Sequence, residues 1–592
     1  MFKIMQKIKE KITTTQFFVN YKRMWPYIRP YWFRALMAVL ICIPIGSLDA
    51  IIALSLKPYM DLVMVEKSIA SPWYIPFGIV AFTSIQGGLN YLATYLNTWV
   101  GGKISNGLKY DLFKKLLTFE TSFYDKRSSG DVVFQFNNNA DLACTGLLDN
   151  LKVFTQRLFS SVSLVCVLFY NSWQLALIAV VVLGAAFAPV AKIRKRINDV
   201  MQKTLVADAA VITAYNEAYA GNKTIISYNL SQDQKNKFFN ILKSIFTLRI
   251  KMVQRTSWLS PMMHVIVSVG IGLAIGFGSH LILTKQITSG NFVSFITALI
   301  MLYSPIKSIG NNFNQLQLSF FAIERVFDVL DAEPAIKDTD NAVELKNNYS
   351  EIEFKDVVFE YIPDVPVLNG INLKIKKGQT IAFVGNSGGG KTTLVNLIPR
   401  FYDVKSGAIM IDGVDIRNYS LKSLRQNIAI VFQDNFLFSG TIRENIMLGN
   451  ENATEEELQQ AIKMAYLDDF IESLENKENT FIGERGVLLS GGQKQRVCIA
   501  RAVIKKPKIM ILDDSTSAVD TATDASIRKA LKEELEGMTT ILIAQRVASV
   551  MEADKILVME NGKIRDMGNH ETLMQQSDIY RELYESQQKG VE

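Results

Sequence analysis

Long apolar runs dominate the first half of the chain, whereas short alternating runs dominate the second half. About 20 mostly apolar residues are needed to cross a membrane, and six stretches of the first half are apolar enough to predict spans. The predicted spans are 35–56, one within 68–102, one that begins before 158 and ends near 170, 174–190, 258–283 and 291–311. The pattern therefore predicts an all-α transmembrane domain of six helices within residues 1–330.

The uncharged stretch 158–191 is too long for one span and too short for two. We interpret residues 171–173, Asn-Ser-Trp, as a tight external turn between two helices. The helix before this turn must begin ahead of the uncharged stretch, and it carries Arg157 into the membrane. Asp49 is a second charge within a predicted span, where it either faces an interior cavity or pairs with a neighbouring helix.

Polar segments surround the predicted spans and indicate their orientation. The basic residues that precede the first span keep the N-terminus in the cytoplasm, because positive residues are retained on that side. Residues 14–30 are predicted to form an amphipathic helix at the membrane surface. The segments 103–150 and 192–257 contain few turn residues, so we expect the helices to continue through them into the cytoplasm.

A polar linker is predicted at 331–350, and the pattern changes after it. Residues 351–592 alternate short β-like runs with helical runs, which is typical of an α/β domain.

The chain has 592 residues, a mean hydropathy of +0.14 and a net charge of +7. A soluble protein that binds nucleic acid would explain the charge but not six spans, so we expect no nucleic-acid partner. Four scattered cysteines and three scattered histidines provide no disulfide framework and no cysteine- or histidine-rich metal site.

A glycine-rich segment follows the apolar run 380–384 and precedes a helical run. It fits the pattern GxxxxGK[ST], and its residues are Gly385, Asn386, Ser387, Gly388, Gly389, Gly390, Lys391, Thr392 and Thr393. In such a segment the backbone N–H groups approach phosphates, and the helix N-terminus adds positive potential. We expect Lys391 to reach the β- and γ-phosphates of ATP, and the Thr392 hydroxyl to bind Mg²⁺.

Two later segments complete the predicted nucleotide site. The apolar run 509–512 ends in Asp513, and a carboxylate at the end of a buried strand can hold Mg²⁺. The sequence LSGGQ lies between the two nucleotide elements and begins a predicted helix, where it can contact a γ-phosphate. Its polar and glycine positions are Ser490, Gly491, Gly492 and Gln493.

These three elements, in this order, resemble the α/β P-loop nucleotide-binding domain of an ABC transporter. With six spans before it, the whole chain resembles a half-transporter of the exporter type. The resemblance implies that Tyr361 stacks on adenine and that Gln433 is the Q-loop glutamine that senses Mg²⁺. It also implies an x-loop at 483–486, a D-loop at 517–520, and an ATP site shared between two subunits, so that the partner is a second half-transporter.

Two positions depart from the family pattern. Asp514 stands where the family has a catalytic glutamate, and Gln545 stands where it has the switch-loop histidine. The aspartate is one methylene shorter, a deficit of about 1.5 Å in reach. A general base must lie within hydrogen-bond distance of its water, so we expect slow hydrolysis. The alternative is that Asp514 and Gln545, together with Gln433, support catalysis as they stand.

The membrane half resembles the lipid A flippases, which act as homodimers. The resemblance implies that Arg157 and Lys307 face a lipid headgroup, whereas Gln86 stands where the flippases have a third basic residue. It favours a homodimer in the bacterial cytoplasmic (inner) membrane that moves lipid A, or a related anionic lipid, to the outer leaflet by alternating access. The nucleotide-binding domain would then be cytoplasmic.

The alternative suggested by the altered ATP site is one subunit of a heterodimeric drug or peptide exporter. A channel or regulator built on the same architecture is a further alternative. The stretches of the membrane half that resemble the lipid A flippases are SFYDKRSSGDVV, YNSWQLALIAVVVL and SPIKSIGNNFNQLQ.

Overall fold

The chain divides into two compact units, and the main boundary lies between Glu333 and Pro334, inside the segment predicted as a linker; residues 120–122 group with the second unit. The computed structural model describes residues 15–65, 73–127, 132–133, 135–345, 349–513, 521–534, 537–544 and 546–589. Within these residues the first unit is helical, and the second unit combines helices with two β-sheets. The predicted fold class, a helical transmembrane domain followed by an α/β domain, is confirmed.

Long helices build the first unit. In its described residues they are α1 (Thr15–Ile28), α2 (Trp32–Pro58), α3 (Tyr74–Leu116), α4 (Leu147–Asn171), α5 (Trp173–Ala220), α6 (Ser231–Thr256), α7 (Leu259–Leu283) and α8 (Ser289–Asp331). Shorter helical segments lie at Arg29–Tyr31, Tyr59–Val65, Thr121–Asp125, Gln135–Asn139, Leu142–Gly146 and Asn222–Ser227. The surface helix predicted at 14–30 corresponds to α1.

Each predicted span overlaps a different long helix, namely α2, α3, α4, α5, α7 or α8. By length and composition, four helical segments of the described chain are apolar enough to cross a membrane. They are Lys22–Val65, Phe136–Asn171, His264–Leu283 and Ser289–Gly310. The number of six spans therefore remains a prediction, although every predicted span coincides with helix.

The polar segments after the spans are largely helical, as predicted. Helix α3 continues to Leu116, α5 to Ala220 and α8 to Asp331, well beyond their apolar parts. The tight turn expected at 171–173 is also present. Ser172 is the one non-helical residue between α4 and α5, with an extended backbone (φ −163°, ψ 113°), and its hydroxyl accepts a hydrogen bond from the Leu175 N–H.

Helices α2 and α4 approach each other very closely at Gly46. A Cβ atom at this position would lie 2.4 Å from the Gln156 carbonyl oxygen and 2.7 Å from the Ser160 nitrogen. Close backbone approach through a small residue is a common way for membrane helices to pack, because lipid provides no hydrophobic driving force between helices. Glycine at this position therefore sets the spacing of α2 and α4.

Helices α4 and α8 run antiparallel along each other, and polar contacts fix their register at both ends. The Asn171 amide donates to the Ser294 hydroxyl at 2.9 Å, and the Asn312 amide donates to the Asn150 carbonyl at 3.5 Å. Side-chain hydrogen bonds of this kind join helices where water is scarce. The two contacts therefore determine which residues of α4 and α8 lie at the same level.

The second unit contains two sheets. Its strands are β1 (Glu351–Ile362), β2 (Val365–Lys376), β3 (Thr380–Val384), β4 (Ser406–Ile411), β5 (Val414–Asp415), β6 (Ile428–Val431), β7 (Ile509–Asp513), β8 (Thr539–Ile543), β9 (Lys555–Glu560) and β10 (Lys563–Gly568). Strands in the order β2-β1-β4-β5 form an antiparallel sheet. Strands in the order β10-β9-β3-β8-β7-β6 form the second sheet, which is parallel except for β10.

Helices flank the parallel sheet and explain its apolar strands. The described helices are α9 (Lys391–Leu397), α10 (Leu421–Gln426), α11 (Ile442–Met447), α12 (Glu455–Met464), α13 (Asp468–Glu472), α14 (Gly491–Ile504), α15 (Thr521–Glu534), α16 (His570–Gln576) and α17 (Asp578–Lys589). All five residues of β7 are buried, as expected for a parallel strand covered on both faces. The carboxyl ends of β3, β6, β7 and β8 share one edge, which is where ligands bind in such sheets.

Candidate functional site

The glycine-rich segment connects the end of β3 to the start of α9. Gly385, Gly388 and Gly390 have φ angles of 138°, 81° and 93°, which side chains other than glycine rarely allow. A Cβ atom on Gly385 would lie 2.2 Å from the Met559 carbonyl oxygen of the neighbouring strand β9. The backbone of this loop is therefore free of side chains where it must approach phosphates.

Lys391 begins α9, and its side chain folds back over the loop. Its ammonium donates to the carbonyl oxygens of Gly385 and Asn386, both at 2.8 Å, and the residue is only 9% exposed. The positive charge is thus held beside the loop and the N-terminus of α9. This is the position from which a lysine contacts the terminal phosphates of a nucleotide.

Thr392 and Asp513 lie together, although 121 residues separate them in the sequence. The Thr392 hydroxyl donates to Asp513 Oδ1 at 3.2 Å, and Asp513 is 4% exposed at the end of β7. Strand β7 pairs with β6 in parallel, so Gln433, two residues past β6 and exposed, leaves the sheet from the same edge. A hydroxyl and a carboxylate are ligands that Mg²⁺ accepts. Two of the three predicted metal ligands, Thr392 and Asp513, are therefore in contact, and the third, Gln433, follows a strand that ends at the same edge.

Tyr361 lies against the helix that follows the phosphate loop. Its hydroxyl donates to Thr393 Oγ1 at 3.2 Å, and 42% of the residue is exposed. The rings of Phe359 and Tyr402 meet the Tyr361 ring edge-on, with centroids 4.8 Å and 5.2 Å away. These contacts hold the ring beside the loop with surface available for stacking. Sequence analysis missed Tyr402, because it follows a different element and no local pattern distinguishes it.

The LSGGQ segment forms the start of α14. The Ser490 hydroxyl accepts from the Gln493 N–H at 3.3 Å, and the Gln493 side-chain oxygen accepts from the Ser490 N–H at 2.8 Å. This reciprocal cap fixes the first turn, which includes Gly491 and Gly492. Ser490 and Gly491 are exposed. The segment therefore presents the positive end of a 14-residue helix at the surface, a suitable contact for phosphate.

The two residues that depart from the family pattern, Asp514 and Gln545, lie outside the described residues, as does the predicted D-loop at 517–520. The strands that lead to them are described. Strands β7 and β8 pair in parallel, with Asp513 opposite Ile543 at the ends of the two strands. The catalytic roles of Asp514 and Gln545 remain predictions.

Arg157 and Lys307 lie on α4 and α8 at similar levels. Asn150 on α4 and Asn312 on α8 are in contact, so they mark one common level. Arg157 is seven residues past Asn150, and Lys307 is five residues before Asn312. With a rise of 1.5 Å per residue on antiparallel helices, the two Cα levels differ by about 3 Å. The Arg157 Nε is buried without a hydrogen-bond partner in the described structure. The Lys307 ammonium lies 5.7 Å from the centre of the Tyr303 ring.

Gln86 and Asp49 form a polar contact between helices. The Gln86 amide donates to the Ile45 carbonyl at 3.0 Å and to Asp49 Oδ1 at 2.8 Å, and the Ser160 hydroxyl donates to Asp49 Oδ2 at 2.5 Å. Asp49 thus pairs with neighbouring helices, one of the two alternatives that the sequence left open. The Gln86 nitrogen is already engaged with α2, which favours a structural role over headgroup binding. Ser160 has no sequence signal beyond lying three residues after Arg157.

Comparisons with known proteins agree with this geometry. Residues 36–306 match the family described as ABC transporter transmembrane region, and residues 368–517 match the family described as ABC transporter. A protein of Syntrophus aciditrophicus named ATP-dependent lipid A-core flippase is 36% identical over 96% of this chain and 94% of its own length. A protein of the same name from Escherichia coli is 32% identical over 96% of this chain and 98% of its own length.

A solved structure resembles the whole fold. It is described as a bacterial Atm1-family ABC exporter with ATP bound, and it matches with a TM-score of 0.84 and 25% identity. The match covers 94% of this chain and 99% of the solved one. Both characteristic regions are present in one polypeptide, and the phosphate loop, Lys391, Thr392 and Asp513 are arranged to bind a nucleotide. The chain belongs to the ABC transporters, membrane proteins that bind ATP and couple its hydrolysis to transport.

Proposed function

We propose that this chain is one half of a homodimeric, ATP-driven flippase that moves lipid A, or a related anionic lipid, from the inner to the outer leaflet of the bacterial inner membrane. The relatives named lipid A-core flippase match nearly the full length of the chain, including the membrane half. The observation that carries the substrate class is the pair of cations, Arg157 and Lys307, at one level of α4 and α8.

The depth of this pair supports contact with inner-leaflet headgroups. Arg157 lies 14 residues before Asn171 and Lys307 lies 18 residues after Ser289, so the two lie about 21 Å and 27 Å from the outer ends of their helices. In a hydrocarbon core about 30 Å thick, both depths fall in the cytoplasmic leaflet. The Arg157 Nε has no protein partner in the described structure, and charge-assisted hydrogen bonds from arginine to phosphate are strong. A dimer would double the set of cations.

The ATP site supports a dimer. Thr392, Asp513 and Gln433 would hold Mg²⁺, and Lys391 would contact the terminal phosphates. The capped helix end at Ser490 is exposed, so it is available to the nucleotide held by a second subunit. ATP, when bound, supplies the phosphoanhydride whose hydrolysis resets the transporter. Closure of the two nucleotide-binding domains, which we place in the cytoplasm, would open the membrane cavity outward, because ATP favours the closed state.

Asp514 and Gln545 favour a second candidate function. A shorter carboxylate and an uncharged amide reduce the capacity for general-base catalysis and for stabilising the γ-phosphate. Such a chain, with its intact LSGGQ, would suit one subunit of a heterodimeric drug or peptide exporter whose partner hydrolyses the ATP. The mass of the purified complex, with identification of every polypeptide in it, separates the two assemblies.

The substrate proposal is tested by replacing both cations. The variant Arg157→Ala with Lys307→Ala should lose stimulation of the ATPase by lipid A in reconstituted vesicles, while its basal ATPase activity stays unchanged. The matched control is Lys57→Ala with Lys285→Ala, which removes two positive charges near the predicted outer ends of α2 and α7. Equal stimulation of the wild type and the double variant would contradict the headgroup role and favour the heterodimeric exporter.

A further inference from the structure

A second group of cations surrounds Trp99, away from Arg157 and Lys307. The Arg34 guanidinium lies over the Trp99 ring, 4.0 Å from its centre, and the Lys103 ammonium lies 5.8 Å from the same ring. The Tyr31 ring meets Trp99 edge-on at 5.4 Å. We propose that Arg34, Trp99 and Lys103 form a binding site for the headgroup of an anionic phospholipid of the inner leaflet, separate from the transported lipid.

The two charges have no counter-ion within the described chain. Arg34 and Lys103 are both exposed, and neither has a carboxylate within salt-bridge distance among the described residues. Their distances from one ring place the two charges at most about 10 Å apart, comparable to the screening length in physiological salt. Two cations held this close repel each other, and an anion bound between them removes that repulsion.

The stacking geometry leaves the donors of Arg34 available. A guanidinium that lies over an indole uses its flat face for the cation–π contact. Its N–H groups point outward in the plane of the group, in the fork that matches two phosphate oxygens. Lys103 adds a compact charge beside the same ring. The ring therefore orients Arg34 for bidentate binding of phosphate, with the second charge close by.

The position of the group along the chain matches the membrane surface. Arg34 lies in the first turn of α2, immediately before the first predicted span, and Lys103 is the first charge after the uncharged stretch 68–102. Both therefore border apolar runs at the end predicted to face the cytoplasm. Trp32 and Phe33 are 53% and 62% exposed, and aromatic residues of this kind are typical of the headgroup level.

The charge of the cytoplasmic leaflet identifies the occupant. Anionic phospholipids give this leaflet a negative surface, and each basic residue near it contributes about 1 kcal/mol to attraction. Arg34 and Lys103 would bind the phosphate, while Trp32 and Phe33 would lie beside the glycerol and the upper acyl chains. A soluble phosphate lacks the second contact, so the proposal commits to the intact lipid. The inference does not depend on which substrate is transported.

The test is a native mass spectrometry titration of the full-length complex with phosphatidylglycerol and, separately, with phosphatidylcholine. The variant Arg34→Gln with Lys103→Gln should bind the first phosphatidylglycerol about 10- to 30-fold more weakly, as expected for two cations. Its affinity for phosphatidylcholine should not change. Arg34→Lys, which retains the charge but loses the planar fork, should give an intermediate loss.

The matched control is Lys422→Gln with Lys463→Gln, which removes two exposed lysines from the nucleotide-binding unit. It should bind phosphatidylglycerol like the wild type. Unchanged affinity in the Arg34 and Lys103 variant would overturn the proposal, as would an equal loss for both lipids. Competition by glycerol phosphate alone would also overturn it, since that result would assign the site to a soluble anion. Arg34→Lys preserves a side chain of similar length, so it tests the site even if the double variant folds poorly.

Discussion

The nucleotide site and the polar groups of the membrane unit are built in opposite ways. At the nucleotide site one continuous segment, from Gly385 to Thr392, provides the loop backbone, the lysine and a metal ligand. In the membrane unit, Asp49, Gln86 and Ser160 meet from three different helices, and each contributes a single side chain. A contiguous motif therefore specifies the first site, whereas the second depends on the rotation and spacing of helices.

The largest expected effect concerns Lys391. Replacing it with alanine should reduce ATP hydrolysis by about 10²–10³-fold, since one positioned donor to a developing charge contributes this much. ATP-driven transport should be lost with it. Both are measured on a complex in which every subunit carries the change, with Lys422→Ala as the control for a lost surface lysine. Retained transport would break the assignment of the continuous segment as the ATP site.

A smaller and opposite effect is expected at Asp514 and Gln545. The variant Asp514→Glu with Gln545→His should raise the ATPase rate at least about 10-fold in a homodimer, since a well-placed catalytic group contributes about 10²–10⁴-fold. In a heterodimer the total rate should rise little, because the partner's site already turns over. An unchanged rate in a proven homodimer would show that Asp514 and Gln545 are sufficient.

The membrane side of the comparison is tested at Gly46. Gly46→Ala should destabilise the protein by about 1–3 kcal/mol, because the added methyl group overlaps the backbone of α4. Gly78→Ala on α3 is the matched control, since a Cβ atom there meets nothing within 4 Å of this chain. Thermal unfolding midpoints in detergent compare the two variants. Similar midpoints would show that α2 and α4 adjust their spacing easily.

The sequence predicted most of the nucleotide site because order along the chain determines place in a parallel sheet. Strands that end in Val384 and Asp513 open onto one edge, so the proximity of Thr392 and Asp513 followed from their motifs. The turn at Ser172 followed from the length of an uncharged run. The partners of Asp49 could not be predicted from the sequence, because the pattern of a mostly apolar helix does not show which face a residue occupies.

The cation group around Trp99 was missed for the same reason, because the sequence does not show which helix faces pack together. Lys103 lies four residues after Trp99 on α3, so helical spacing alone makes them neighbours, whereas only the packing of α2 on α3 places Arg34 beside the same ring. A clue was present, since each is the first charge bordering an apolar run, and such residues belong at the membrane surface. That clue gives depth but not neighbours. The depth of a residue in the membrane follows from its position along a helix, whereas its contacts with other helices depend on how those helices are rotated and packed.

The single residue that joins α4 to α5 has a mechanical consequence. One extended residue spans less than about 4 Å, so the ends of these two helices at Ser172 cannot part. Any opening of the membrane unit on that side must keep the joined ends of α4 and α5 together, so the helix ends that separate there must belong to other helices. A crosslink between these two helix ends should therefore leave the transport cycle unimpaired, because it restricts a distance that the one-residue connection already restricts.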